Sequence, residues 1–180
     1  MDINNYIEYY PHIVDSDLCK KIINFEFDYK KSTYSTHVGK SSETEERVKM
    51  DEFWIRKDNE FYIPLKVCFE DVIEKYKKRH SDFSVQHTTD FRINCYSEGD
   101  YMSRHVDNIH HSHGQEWGYP QVSCLLFLND DFNGGQFQVS NSYFETSEGS
   151  AIIFPSNFMF PHKVDTITSG TRWSVVTWLM

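Results

Sequence analysis

From Ser84 onward the residues alternate in character with a period of two, and that period decides what the chain can fold into. In "SVQHTTDFRINCY" one face carries Val85, His87, Thr89, Phe91, Ile93 and Cys95, and the other Gln86, Thr88, Asp90, Arg92, Asn94 and Tyr96. Strand side chains point to opposite faces in turn, so the segment reads as a long strand with one apolar and one polar face. Further strands are expected at Gln121 to Leu128, Gly135 to Val139, Ser150 to Phe154, Lys163 to Ile167 and Arg172 to Leu179, separated by turn signals such as "NDDFNGG" and "TSGT". The preceding half reads differently. After a strand-like "YIEYYPHIV", Asp15 to Lys30 opens on two possible N-caps, Asp15 and Ser16, and spaces Leu18, Ile22 and Phe25 as a helix does. Glu60 to His80 carries a stripe of Leu65, Phe69, Val72, Ile73 and Tyr76 and ends on Lys77, Lys78 and Arg79, which suits the negative end of a helix dipole. Helices followed by short strands predict a mainly β sandwich or jelly roll with helices packed on one face.

At 180 residues the chain is long enough for one buried core and short for two, which predicts a single domain over 1–180. A net charge of −9 argues against a broad phosphate-binding surface and makes nucleic acid a disfavoured partner. Cys19, Cys68, Cys95 and Cys124 are widely spaced and form no Cys-x-x-Cys pair, so buried free thiols in a reducing compartment are expected. The first residues show neither a basic nor an apolar leader region, and no run is apolar enough to span a bilayer. A soluble, cytoplasmic protein with no membrane partner is the expectation.

The chemistry concentrates in two places. His105 and Asp107 lie two apart in "YSEGDYMSRHVD", so on an extended backbone an imidazole and a carboxylate point to one side and can converge on one ion. The triplet alone is unspecific, since polar turns contain it often. Far along the chain, "FPSNFMFPHKVDTITSGTRWSVVTW" supplies His162 and then Arg172. Two histidines and one carboxylate, with positions left open, is the ligand set of non-heme Fe(II) oxygenases. Arg172 adds a guanidinium that can hold a distal carboxylate bidentately, and Ser174 shares its strand face.

With these residues in place, the sequence resembles the iron(II)- and 2-oxoglutarate-dependent dioxygenases, specifically their prolyl 4-hydroxylase-like branch. The resemblance rests on Tyr96 and Gly99, on His105 and Asp107, on the Gly-Gly hairpin of "LNDDFNGGQF", on His162, and on "GTRWS" at 170–174. It covers roughly residues 85–179. It implies a double-stranded β-helix, or jelly roll, whose catalytic core is 84–180, with 1–83 as helical support and lid region. It also implies Fe(II) held by His105, Asp107 and His162, and 2-oxoglutarate paired with Arg172 and contacted by Ser174 and Tyr96. Dioxygen would be the second cosubstrate and ascorbate a reductant. The implied reaction couples oxidative decarboxylation of 2-oxoglutarate to hydroxylation of a C–H bond, and the aspartate favours hydroxylation over halogenation. The implied substrate is a prolyl or other side chain of a protein or peptide. Two alternatives stay open: a small-molecule oxygenase with the same core, and a jelly-roll binding module without catalysis.

The chain departs from that pattern in places. Phe127 stands near a position where many relatives have a tyrosine. Met102 stands where many have an aromatic, which here is Tyr101. Trp178 stands where the nucleic-acid demethylase branch has a second arginine, which argues against base repair. Other residues carry a functional and an ordinary reading side by side. His110, His111 and His113 form either a second metal cluster or a solvated loop. Asn108, Trp117 and Tyr119 line a substrate mouth or an ordinary surface loop. Residues His37 to Asp51, with Arg47 and Lys49, are a lid or a plain connection.

Overall fold

A computed structural model describes residues 2–35, 41–42, 47–108 and 118–180, the side chains of 34, 35, 41 and 42 apart. His110, His111, His113, Trp117 and most of the 37–51 loop lie outside the described residues. Two α-helices, α1 (Ser16–Ile23) and α2 (Tyr62–Arg79), accompany the strands. In the first half these are β1 (Glu8–Tyr10), β2 (Lys30–Lys31), β3 (Tyr34–Ser35), β4 (Ser41–Ser42), β5 (Val48–Lys49) and β6 (Asp51–Ile55). Then come β7 (Phe91–Tyr96), β8 (Tyr101–His105), β9 (Val122–Phe127), β10 (Asn133–Gly134), β11 (Phe137–Val139) and β12 (Ser142–Phe144). The last are β13 (Ala151–Pro155), β14 (His162–Val164), β15 (Ile167–Ser169) and β16 (Arg172–Leu179).

The antiparallel strands form a major sheet ordered β1-β13-β9-β16-β7-β6-β2 and a minor sheet ordered β12-β11-β14-β8-β5. Two apolar layers result. One lies between the major sheet and the helices, where Leu65, Phe69, Val72, Ile73 and Tyr76 of α2 meet Phe91, Ile93, Cys124, Leu126, Ile153 and Val175. The other lies between the two sheets and includes Leu125, Phe127, Phe137, Phe154, Val176 and Trp178. This is the expected jelly roll with helices on one face.

Departures from the sequence reading have local causes. α1 stops at Ile23 because Phe25, Phe27 and Tyr29 then alternate with Glu26 and Asp28. That period of two lays their rings against one another and against Phe53, Phe61 and Trp173. The strand expected from Ser84 begins in earnest at Phe91. Before it the chain makes one isolated bridge, Thr88 to Leu179, and side-chain bonds between Thr89 and Thr177. Lys163 to Ile167 divides between β14 and β15. The polar face of β7 is not solvated: Arg92, Asn94 and Tyr96 point between the sheets and line an internal cavity.

Candidate active site

Register carries most of the site. Across β7, β16 and β9, Tyr96 pairs with Arg172, while Asn94, Ser174 and Phe127 form the next inward row. Arg92, Val176 and Leu125 form the following row, and Trp178 and Ser123 the last. From the minor sheet, His162 on β14 pairs with His105 on β8, and their rings lie 4.2 Å apart. Met102 and His105 are three residues apart, which on a regular strand would send them to opposite faces. Both line the cavity because the β8–β14 register slips between His162 and Val164, giving β8 one extra residue.

Asp107 lies just past β8, and Asn108 fastens this exit: its N–H donates to the Ser156 carbonyl at 3.0 Å and its side-chain amide to the Pro120 carbonyl at 2.7 Å. Asp107 Oδ1 lies 3.4 Å from His105 Nε2, and Oδ2 lies 3.3 Å from His162 Nε2. The three donor atoms fall within 4.8 Å of one another, close enough to ligate one ion. Both Nδ1 atoms face backbone carbonyls, that of Ser103 at 2.9 Å and that of Phe160 at 3.3 Å. An Nδ1–H donated to each carbonyl leaves the Nε2 lone pairs for a metal. Burial opposes ionisation of Asp107, yet the two imidazoles outweigh it and hold its carboxyl well below the usual carboxylate range. Burial, reinforced by His162, pushes His105 down, toward the neutral ring a metal requires.

Ser123 and Ser156 are site residues the sequence reading missed. Ser123 Oγ donates to Asp107 Oδ2 at 2.6 Å and lies 2.8 Å from Ser156 Oγ, all three residues being buried. A serine at an inward position of the otherwise apolar "VSCLLF" was the available signal. Asn129 was missed as well. Its side-chain amide donates to the Thr171 carbonyl at 2.7 Å, and its Oδ1 accepts from Trp173 N–H at 2.8 Å, which pins the backbone on both sides of Arg172.

Arg172 is 1% exposed and sits among the rings of Tyr96, Phe127 and Phe137 at 5.3 to 5.9 Å. Its Nη1 donates to Ser174 Oγ at 3.4 Å, while Nε and Nη2 are buried without a hydrogen-bond partner. Burial lowers its pKa only to about 10, so it stays cationic at neutral pH. A desolvated cation with unused donors is costly unless an anion completes it, so the site fits a ligand carboxylate. The glycine hairpin makes room for it: a Cβ on Gly135 would lie 2.3 Å from Ile167 Cδ1 and 3.2 Å from Arg172 Cδ. Phe127 offers Arg172 a ring face in place of a hydroxyl. Met102 lines the cavity, whereas Tyr101 lies half-buried outside it. Tyr119 is exposed. Of the lid candidates, Val48–Lys49 of β5 pair with β8, and Ser103 N–H and Oγ both donate to the Arg47 carbonyl. No helix among the described residues is long and apolar enough to cross a membrane.

A family model described as the 2OG-Fe(II) oxygenase superfamily matches residues 91–180. A PKHD-type hydroxylase of Psychrobacter sp. is 35% identical over 95 residues, which cover 48% of this chain and 36% of the relative. One from Acaryochloris marina is 35% identical over 127 residues, covering 62% of this chain and 54% of the relative. The chain thus spans about half, or less, of the length of these curated relatives. A Trichoplax adhaerens prolyl hydroxylase, solved in complex with a hypoxia inducible factor oxygen degradation domain peptide, superposes with a TM-score of 0.79 at 17% identity, covering 98% of this chain and 84% of that one.

Proposed function

The chain belongs to the 2OG-Fe(II) oxygenase superfamily, and from that premise we propose that it is an Fe(II)- and 2-oxoglutarate-dependent hydroxylase acting on an unactivated C–H bond. The substrate in this reading is a prolyl or other side chain of a protein or peptide, in keeping with the prolyl hydroxylases whose fold it shares. One observation carries the reading: a largely buried His105–Asp107–His162 cluster and the incompletely bonded Arg172 line a single cavity. Bound Fe(II), with 2-oxoglutarate and O2, supplies oxidative decarboxylation coupled to C–H hydroxylation, releasing succinate and CO2.

The chain's own residues then divide the work. His105, Asp107 and His162 would hold the metal through two imidazole nitrogens and one carboxylate. Ser123 fixes the Asp107 carboxylate so that the acceptor oxygens stay aimed. Arg172, assisted by Ser174 and Tyr96, takes the far carboxylate of 2-oxoglutarate and sets its orientation by a bidentate grip. The apolar wall of Leu125, Phe137 and Val176 limits water. Residues 1–83 and 84–180 act together in this reading, since β6 is built into the major sheet beside β7.

A free amino acid or other small substrate is a second reading, favoured by the lining of the cavity, which is buried on most sides. Incubating the purified protein with Fe(II), ascorbate and 2-oxoglutarate, with and without candidate peptides or metabolites, tests both. Succinate formation stimulated by one class is the expected outcome. Iron binding and turnover that survive in His105→Ala or Asp107→Ala would sink the metal assignment, and no turnover with any candidate would favour a binding module.

A further inference from the structure

The cavity contains a second arginine that the metal and cosubstrate assignments leave unused. Arg92 lies on β7, on the same inward face as Asn94 and Tyr96, in the row of Val176 and Leu125. That row adjoins the one containing Trp178 and Ser123, and Ser123 is the residue bonded to Asp107. Arg92 therefore stands toward the metal end. Arg172 stands four register positions away, about 13 Å along the strands. The two arginines therefore enter the cavity from separate levels of the major sheet.

The surroundings of Arg92 hold it in place without using it up. Its guanidinium lies 4.8 Å from the Trp178 ring and 6.0 Å from the Trp54 ring, and Trp54 is its register partner on β6. Indole faces fix a guanidinium by cation–π attraction while leaving its N–H edge unbonded. The nearest carboxylate, Glu52, meets it end-on, with Nη1 to Oε2 at 3.4 Å. The same Glu52 carboxylate also accepts from Ser32 Oγ at 2.6 Å and from Trp54 Nε1 at 3.3 Å. Arg92 Nε is buried without a hydrogen-bond partner, although the side chain is only 12% exposed. A desolvated guanidinium with one long bond to a shared carboxylate has donors to spare, and Arg92 lines the same cavity as His105, Asp107 and His162.

We propose that Arg92 is the substrate-recognition residue of this cavity and binds a carboxylate that the substrate itself carries close to the C–H bond to be oxidised. The inference rests on the hydroxylase reading above and narrows its substrate to a carboxylate-bearing amino acid or acidic peptide. Trp54 and Trp178 orient the guanidinium, and Glu52 holds one of its nitrogens until the substrate carboxylate takes up the others.

The test uses the Fe(II)-loaded full chain with 2-oxoglutarate, reading succinate and a hydroxylated product by mass. One arm contains the free L-amino acids and their carboxamides. The other contains amidated prolyl peptides with Glu or Gln beside the proline. The expected result is product from acids of one arm, with kcat/KM at least tenfold lower for the matching amides or Gln peptides. Arg92→Gln should raise KM for the acid at least tenfold and erase that discrimination, Arg92→Lys should restore part of it, and Glu52→Gln should lower KM. Circular dichroism and 2-oxoglutarate binding report whether each variant is folded. Equal turnover of acid and amide, product from the neutral series alone, discrimination that persists in Arg92→Gln, or succinate formed without stimulation by any probe would each overturn the inference. A wild-type chain that neither binds Fe(II) and 2-oxoglutarate nor makes succinate would instead overturn the hydroxylase reading beneath it.

Discussion

Asp107 makes short contacts to two imidazoles and one hydroxyl, and only the hydroxyl is dispensable for a three-ligand set. Ser123→Ala removes the 2.6 Å bond that fixes Oδ2. Fe(II) affinity is expected to fall roughly 10–100-fold, as for other residues that orient a ligand, while 2-oxoglutarate binding to Arg172 survives. Competition with a calibrated chelator measures the first and calorimetry the second. Arg172→Met is expected to do the converse, weakening 2-oxoglutarate roughly ten- to a hundredfold, the worth of hydrogen bonds to a charged partner. An unchanged affinity would remove Arg172 from the site. The His105, Asp107 and His162 cluster and the buried Arg172 were legible in the sequence as a set, because the chemistry they suit restricts residue type and spacing. Ser123 and Asn129 were not. One serine in a strand and one asparagine after it look the same whether they support a site or merely fill a turn.

Among the elements, the β10–β15 pairing ties the glycine hairpin to the surroundings of Arg172. Gly135 has a φ of 60°, and a Cβ there would press on Ile167 and Arg172. Gly135→Ala is expected to cost about 1–3 kcal/mol in stability and to weaken 2-oxoglutarate binding with it, measured by denaturation and calorimetry on one preparation. Leu65→Ala in α2 makes a control on the other side of the major sheet. Leu65 is fully buried among residues remote from the cavity, so about 2–5 kcal/mol of stability should be lost with cosubstrate affinity retained. The helix over 62–79 was legible because its stripe repeats at helical spacing from Leu65 to Tyr76. The end of α1 was misplaced because Phe25 suits either period, and only its packing against Phe27 and Phe61 decides between them.

For the whole molecule, binding and stability are linked. Fe(II) with 2-oxoglutarate at a hundredfold over Kd is expected to add about 2.7 kcal/mol, which for a chain of this size raises Tm by roughly 5–11 °C. The shift should vanish in Asp107→Ala, and scanning fluorimetry checks both. All four cysteines are free. Burial pushes the thiols of Cys19 and Cys95 up to about 12 and raises that of Cys124 further. Protonated, enclosed thiols are poor nucleophiles, so these three should resist thiol reagents until the chain unfolds, and reductant should leave Tm unchanged. By itself the sequence determined the periods of its elements, the jelly-roll class and the His-x-Asp, distal His and Arg set, because each is written in residue type and local spacing. Tertiary structure decided that the polar face of β7 turns inward, that a register slip puts His105 beside Met102, and that Arg92 lies between Trp54 and Trp178. Those outcomes follow from strand pairing and from contacts between residues far apart in the chain, which no local pattern encodes.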